Sequence, residues 1–379
     1  MKVMHLWLDY SPNLFDRSHP LCLAHGLDSE VVCQAFIANG AAMLPHTHSL
    51  RQRSPAESNA TDLITRVRRR LRRPVDAWRF GRLVHDRVAA ARPQVAHVHF
   101  GTTAATLQRL GALPELPLVV SFYGADVSEA LHDTETLEAY RAVFLQAHRL
   151  HVLCDAARDR LVAAGCPPDR IVIANLPATV ERFPDIGVSF SGRARFLVPA
   201  RFVEKKGHAV LLAAFARLVR DGSDALLTCY GYGPSAWLVE AVAAAGLYER
   251  VQVVDNGQTG DFASAYERVL RDHDIVLAPS IRSRNGDDEG GPALTLVMAQ
   301  AAGKPVIVSD FPGAERSVDD GVEGLVVPAG DVDALHAAMA CLAAAPDRWQ
   351  PMGQAGRKRV LADFSEATYW SSLRDWYRV

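Results

Sequence analysis

Short apolar runs alternate with helical stretches of about 10–15 residues along almost the whole chain, and the alternation starts twice. "AHVHF" leads into 102–110, "LPLVVSFYG" into Thr134–Ala147, and "RLHVLC" into Ala156–Ala164, while "RIVIAN" runs into a loop. After "VERFPDIGVSFSG" the pattern begins again. "ARFLVPARF" precedes "GHAVLLAAFARLVRDG", "ALLTCYGYG" precedes "PSAWLVEAVAAAGL", "VQVVDNG" precedes 262–271, and "DIVLAPS" and "KPVIVSD" follow. Strands separated by helices of this length pair in parallel, with helices over both faces of the sheet. Two such runs predict two doubly wound α/β domains, 1–187 and 188–365, with a linker around 185–192 and a C-terminal helix over 366–379 packing back on the first. A chain of 379 residues exceeds one ordinary core, which agrees.

Composition narrows the class. The chain is 49% hydrophobic and 22% charged with a net charge of −2. No window approaches the ~20 apolar residues that span a bilayer. "MKVMHLWLDYSP" reads as a first strand rather than a signal peptide. Six cysteines are scattered without a C-x-x-C pair, which points to a reducing cytoplasm and away from a disulfide framework or a zinc site. Charge is uneven: 66–92 holds ten arginines against Asp76 and Asp86, a local +8 that leaves −10 for the rest. Val67, Leu71, Trp78, Phe80 and Leu83 are interleaved with them. Such a block is either a solvated helix face or a helix pair lying on an anionic membrane surface. No nucleic-acid module accompanies it, so nucleic acid is not an expected partner.

In doubly wound sheets, ligands bind where strands end and helices begin. Arg201 ends "RFLVPA", and Lys206-Gly207 opens the next helix. A guanidinium and an ammonium at one helix N-terminus form a clamp for a diphosphate. The alternative is a pair of surface cations. In "YGYGP", Gly231 and Gly233 let a ligand approach the backbone. After "DIVLAPS", Glu289-Gly290-Gly291-Pro292 turns into a helix over about Ala293–Ala302. A carboxylate at that entrance can accept hydrogen bonds from sugar hydroxyls, with glycine N–H groups beside it and Pro292 presetting the first turn. Read without a ligand, Glu289 is a helix-capping acid. "DHD" (Asp272–Asp274) approaches a strand and "DVD" (Asp331–Asp333) precedes a helix as an N-cap, so neither is taken as a metal site.

These motifs, in this order, resemble the retaining GT-B glycosyltransferases of family 4. The matching stretches are "ARFVEKKGH", "YGYGP", "APS…DEGGPALTLVMAQAAGKPVIVSD", "EGLVVPAGDVDAL" and "PMGQAGRKRVLADFS", covering nearly all of Arg195–Tyr377. "HVHFG", "VVSFYGADVS" and "VLCDAARDRLVAAGCPPDRIVIAN" extend it more faintly into the first half. The resemblance implies a GT-B fold of two Rossmann-like domains facing an interdomain cleft. It implies a nucleotide-diphosphate sugar as co-substrate, with no cofactor or metal, and a glycan or lipid-linked acceptor. Arg201, Lys206 and Glu289 would act in catalysis. Gly231, Gly233, Gly290, Gly291, Pro292, Ala293, Leu294 and Met298 would join them in holding the donor. Transfer would retain configuration by a front-face route, in surface polysaccharide or glycoconjugate synthesis on the cytoplasmic side of a membrane.

Two departures stand out. The family's second acid, which holds the nucleotide ribose, falls at Val297, or at Met298 if the extra glycine is absorbed. The histidine of its "F-H-G" step is Tyr123 here, in "FYGAD", leaving Asp126 and His99 beside Tyr123 as further acceptor-binding residues. A phenol of pKa ~10 can donate a hydrogen bond at neutral pH but is a poor base. A degenerate GT-B protein that binds glycan without catalysis, and a sugar-nucleotide epimerase, are the alternative readings.

Overall fold

The computed structural model describes residues 1–10, 18–37, 46–53, 63–257 and 262–378, with the side chains of 37, 53 and 63–74 left aside. The chain divides into one unit of Met1–Ala174 with Tyr369–Val379 and a second of Asn175–Thr368.

The first unit is built on eight strands: β1 (Lys2–Tyr10), β2 (Asp28–Ile37), β3 (Thr47–Ser49), β4 (Gln52–Arg53), β5 (Val95–His99), β6 (Leu118–Ser121), β7 (Arg149–Val152) and β8 (Ile171–Ile173). Their order is β3-β2-β1-β5-β6-β7-β8, with β4 also on β2, and every pairing is parallel. All residues of β5 and β6 are buried, as expected where helices cover both faces. Helices Gly101–Arg109, Thr134–Gln146 and Asp155–Ala163 follow as the pattern predicts.

The arginine-rich block departs from expectation in two ways. It forms one continuous helix, Leu63–Ala91, rather than a helix pair. Phe80 and Val84 are fully buried in the core, with Leu83, Val88 and Ala91 packed alongside them. That helical stripe ties the helix to the sheet and outweighs the single bond Pro74 cannot donate. Phe80 is therefore core rather than part of a surface face. Arg87 also turns inward, donating to Glu30 at 2.7 Å. Val75 and Trp78 stay on the exposed side, and Arg82 lies over the Trp78 ring at 5.9 Å. The side chains of Arg66 to Arg73 lie outside the described residues.

Residues after 368 close the first unit. The Tyr369 hydroxyl meets Ser18 Oγ at 3.1 Å, and Tyr377 Oη lies 2.7 Å from His97 Nδ1. Trp376 packs on the His151 ring at 4.5 Å between centroids.

The second unit holds β9 (Arg195–Pro199), β10 (Leu226–Gly231), β11 (Val251–Asp255), β12 (Ile275–Ala278), β13 (Val306–Ser309) and β14 (Gly324–Val327). The order β11-β10-β9-β12-β13-β14 is parallel throughout. Its direction reverses between β9 and β12, a topological switch point, so the carboxyl ends of those two strands are where a ligand crevice forms. The stretch read as a linker is fastened at its start, because the N–H groups of Ile186 and Gly187 both bond the Ala302 carbonyl.

Candidate active site

The loops after β9 and β12 carry Arg201, Lys206 and Glu289, the three residues on which the sequence reading rests. Two glycines bring the strand ends together. Gly207 has φ +69°, and a Cβ there would lie 1.8 Å from the Pro279 carbonyl oxygen. A Cβ on Gly231 would lie 1.9 Å from the Ala200 carbonyl oxygen. The ends of β9, β10 and β12 are thus in backbone contact, and only glycine fits between them.

Lys206 Nζ lies 2.5 Å from Glu289 Oε1, and the Ser280 hydroxyl donates to the same oxygen at 2.8 Å. No group among the described residues bonds Glu289 Oε2. Burial raises the Glu289 carboxyl, but the charges of Lys206 and Lys205, with the two hydrogen bonds, outweigh it and hold the group below the usual range. Glu289 is therefore ionised, with one oxygen anchored and the other available to a hydroxyl. Arg201 is exposed, and no acceptor engages its guanidinium among the described residues.

The Lys206–Glu289 pair is one rung of three. Arg284 bonds Glu204 at 3.1 Å, and Lys205 Nζ bonds Asp287 Oδ1 at 2.9 Å and the Asp288 carbonyl at 3.1 Å. The Lys205 backbone carbonyl also accepts the Ile281 N–H at 2.8 Å. Consecutive residues 204–206 thus clamp the loop that presents Glu289. The Glu204–Arg284 rung is exposed and weak, whereas Lys205 is buried and holds the loop firmly. Sequence reasoning missed Lys205 and Ser280. The double lysine was visible, but which lysine turns inward depends on the tertiary path.

Gly290, Gly291 and Pro292 are buried, and the helix starts at Leu294 with Ala293 as its N-cap. No side chain caps it, and no acceptor among the described residues takes the N–H of Gly291, Leu294 or Thr295. Helix His208–Arg220 is likewise uncapped after Gly207. By contrast Asp133 and Asp331 cap their own helices. Uncapped N-termini beside Arg201 and Lys206 offer N–H donors and a favourable dipole to an anion.

In the first unit, Tyr123 follows β6 and is half-buried, with Oη 2.7 Å from His99 Nδ1. Asp126 is buried, and its two oxygens accept the N–H groups of Tyr123, Gly124 and Gly101 at 2.8–3.0 Å. Burial raises its carboxyl, against the pull of those donors. Asp126 thus shapes the turn that carries Tyr123. Phe100, between His99 and the next helix, is held at φ +69°, a costly conformation for a side chain of this size.

Nitrogens of His5, His97 and His99 lie within 4.8 Å of one another, near enough to raise the question of a metal. Their geometry answers otherwise. The His97 and His99 rings are stacked 4.0 Å apart at 26°, so their in-plane lone pairs do not converge. All six ring nitrogens already take part in bonds, to Cys22, Tyr123, Tyr377, Ser121 and each other. Among the acids, Asp274 is buried against Arg195, and Asp331 caps a helix.

Residues 180–359 match the family model for glycosyl transferases group 1, and 22–176 match that for a glycosyl transferase 4-like domain. The amylovoran biosynthesis glycosyltransferase AmsK of Erwinia amylovora is 30% identical over 282 residues, 73% of this chain and 68% of the relative. This chain belongs to the group 1 glycosyltransferases. A putative colanic acid biosynthesis glycosyltransferase, WcaL of Salmonella typhimurium, is 30% identical over 73% of this chain and 69% of its own length. A GDP-mannose-dependent phosphatidylinositol monomannoside mannosyltransferase of Mycolicibacterium smegmatis is 28% identical over 80% of both.

Solved structures share the fold. A sucrose-phosphate synthase of Thermosynechococcus elongatus superposes with a TM-score of 0.76 at 17% identity, over 100% of this chain and 98% of that one. Anabaena HepE in complex with UDP and glucose gives 0.72 at 15%, over 99% and 98%. The group 1 glycosyltransferase is thus a GT-B protein of two parallel-sheet, Rossmann-like units. In this member Val297 and Met298, the two places for a second acid, are fully buried in helix Leu294–Ala301. No described helix of the glycosyltransferase is long and apolar enough to cross a membrane.

Proposed function

We propose that this glycosyltransferase moves a sugar from a nucleotide-diphosphate sugar to a glycan or lipid-linked acceptor, with retention of configuration and without a metal, in polysaccharide or glycoconjugate synthesis. The observation that carries this is the convergence of Arg201, Lys206 and Glu289 at the carboxyl ends of β9 and β12, beside uncapped helix N-termini. The names of the relatives support the acceptor class: amylovoran and colanic acid are polysaccharide products, and the mannosyltransferase is named for a phosphatidylinositol monomannoside.

Arg201 and Lys206 stabilise the charge that develops on the departing diphosphate, as preorganised donors do. Glu289 Oε2 accepts from donor-sugar hydroxyls. The N–H groups of 290–294 take phosphate or hydroxyl oxygens, and Gly231, Gly233 and Met298 complete the donor side. Tyr123, with His99 and Asp126 behind it, meets the acceptor. When a diphosphate arrives, Lys206 exchanges its bond to Glu289 for a phosphate oxygen, so donor binding frees carboxylate capacity for the sugar. The exposed Val75, Trp78, Arg79 and Arg82 face gives peripheral contact with anionic lipid on the cytoplasmic side.

The test is a panel of nucleotide sugars, UDP-glucose and GDP-mannose among them, incubated with the protein while free nucleotide is measured. Slow release with one donor, absent in Glu289→Gln, is the expected result. If nucleoside diphosphates raise the melting temperature yet no donor releases nucleotide, a binding protein without catalysis replaces this reading.

A further inference from the structure

His99 is the most constrained side chain in the first unit. It is fully buried, and its ring lies flat between Trp7 (4.0 Å, 8°) and His97 (4.0 Å, 26°). Its Nε2 is 3.0 Å from His5 Nδ1, and its Nδ1 is 2.7 Å from Tyr123 Oη. His5 Nε2 in turn lies 3.8 Å from Cys22 Sγ. Stacked on both faces and bonded at both nitrogens, the ring cannot turn away from Tyr123.

A neighbouring chain of bonds shows how such networks are oriented. His151 Nε2 lies 2.9 Å from the Ala174 carbonyl, which only accepts, so that nitrogen carries the proton. His151 Nδ1 must then accept from the Ser121 hydroxyl, Ser121 Oγ from His97 Nε2–H, and His97 Nδ1 from Tyr377. Every proton along that path has one place.

The Cys22–His5–His99–Tyr123 path has two self-consistent directions, because neither end is a pure acceptor. In one, Tyr123 donates inward to His99 Nδ1, His99 Nε2–H donates to His5, and His5 Nε2–H points at the thiol. In the other, every bond is reversed. The middle bond is the same in both, and the thiol is a weak partner either way. The Tyr123 end therefore decides. A phenol is a far better donor than a neutral imidazole, and imidazole nitrogen a far better acceptor than phenol oxygen, so the inward direction prevails. Burial, with His97 and His5 alongside, keeps His99 neutral across ordinary pH, so Nδ1 stays available as the acceptor.

We infer that His99 is a positioning residue that draws the Tyr123 proton inward and so presents the Tyr123 oxygen as a hydrogen-bond acceptor for a hydroxyl of the acceptor substrate. Where the family's histidine stands, this chain then uses a phenol as an acceptor rather than a donor. The inference rests on the reading of Tyr123 as an acceptor contact.

Two measurements test it. Long-range proton–nitrogen NMR on histidine-labelled protein should find His99 protonated at Nε2 and bare at Nδ1 throughout pH 6–8, while the reverse tautomer overturns the inference. Binding of n-octyl β-D-glucoside and n-octyl α-D-mannoside is then titrated into wild type, Tyr123→Phe, His99→Leu, His99→Asn and the Tyr123→Phe/His99→Leu double variant. Loss of one hydrogen bond should weaken binding about 3- to 10-fold in Tyr123→Phe and in His99→Leu, with no further loss in the double variant. His99→Asn should restore it, since its side-chain oxygen can accept from Tyr123. Binding unchanged in Tyr123→Phe, or absent in wild type, defeats the reading of Tyr123 as an acceptor contact. A loss in Tyr123→Phe alone, or losses that add in the double variant, leave that reading standing and defeat the positioning role of His99.

Discussion

Lys206 and Glu289, read separately as a diphosphate ligand and a sugar ligand, are bonded to each other at 2.5 Å. Each therefore sets the state of the other before any substrate arrives. Glu289→Gln removes the charge that grips sugar hydroxyls while releasing Lys206. Transfer should fall about 100-fold or more, as when a transition-state contact is lost. Nucleoside-diphosphate affinity should hold or rise, because Lys206 no longer has to leave a partner. Near wild-type transfer would leave Glu289 as a helix cap.

Arg201→Ala and Lys206→Ala should both weaken nucleoside-diphosphate binding, about 10- to 150-fold for a charge-assisted bond, and nucleoside binding far less. Stability separates them. Arg201 is exposed without a partner, so its removal should leave the melting temperature unchanged, whereas Lys206→Ala strands a buried carboxylate and should lower it. Calorimetric titration and melting curves of both variants check this, and equal diphosphate binding by all three proteins removes the clamp.

Acid should destabilise the first unit well before its carboxylates titrate. Burial lowers the pKa of His5, His97 and His99 well below 6.5, with neighbouring histidines adding to the shift. The unfolded chain then binds more protons than the folded one below about pH 6.5, so stability rises with pH through that window and levels off above it. Each histidine contributes about 1.4 kcal/mol per pH unit. In the second unit His208, pushed down to about 4 by burial and by the Lys206 charge against its bond to the Arg201 carbonyl, acts in the same direction. Melting temperature should be flat from pH 7 to 9 and fall steadily below 6.5. A flat profile down to pH 5 would contradict the buried cluster.

Vesicle sedimentation should show binding to anionic lipid at low salt that fades as salt rises, since the Debye length is ~10 Å at 0.1 M. Trp78→Ser with Arg79→Glu and Arg82→Glu should abolish it. These side chains lie on the exposed side of helix Leu63–Ala91, away from Phe80 and Val84, so the fold should survive. Unchanged sedimentation would make the block a solvated face.

The parallel sheets were legible because strands covered on both faces become unbroken apolar runs, as in "AHVH" and "LVVS". Arg201, Lys206 and Glu289 were legible because each adjoins a strand end. Their mutual bonding was not, since 83 residues separate Lys206 from Glu289 and only the β9–β12 reversal makes them neighbours. His97 and His99 show the two-residue period of one strand face, but His5 joins them only through the β1–β5 register. Phe80 misled because an aromatic among arginines looks like a surface anchor until its helical partners Val84 and Val88 are placed on the sheet.

The bond from Tyr377 to His97 sets an order of events during synthesis. The first unit draws on Met1–Ala174 and on residues from Tyr369 onward, and the entire second unit is translated between them. At about 5–20 residues per second, that interval lasts on the order of 10–40 s. Throughout it the nascent first unit has its strands but lacks the hydroxyl that His97 requires and the indole that covers His151. The unit that begins first is therefore sealed last, and a ribosome stalled after residue 368 would display a complete donor half beside an acceptor half still waiting for its final strap.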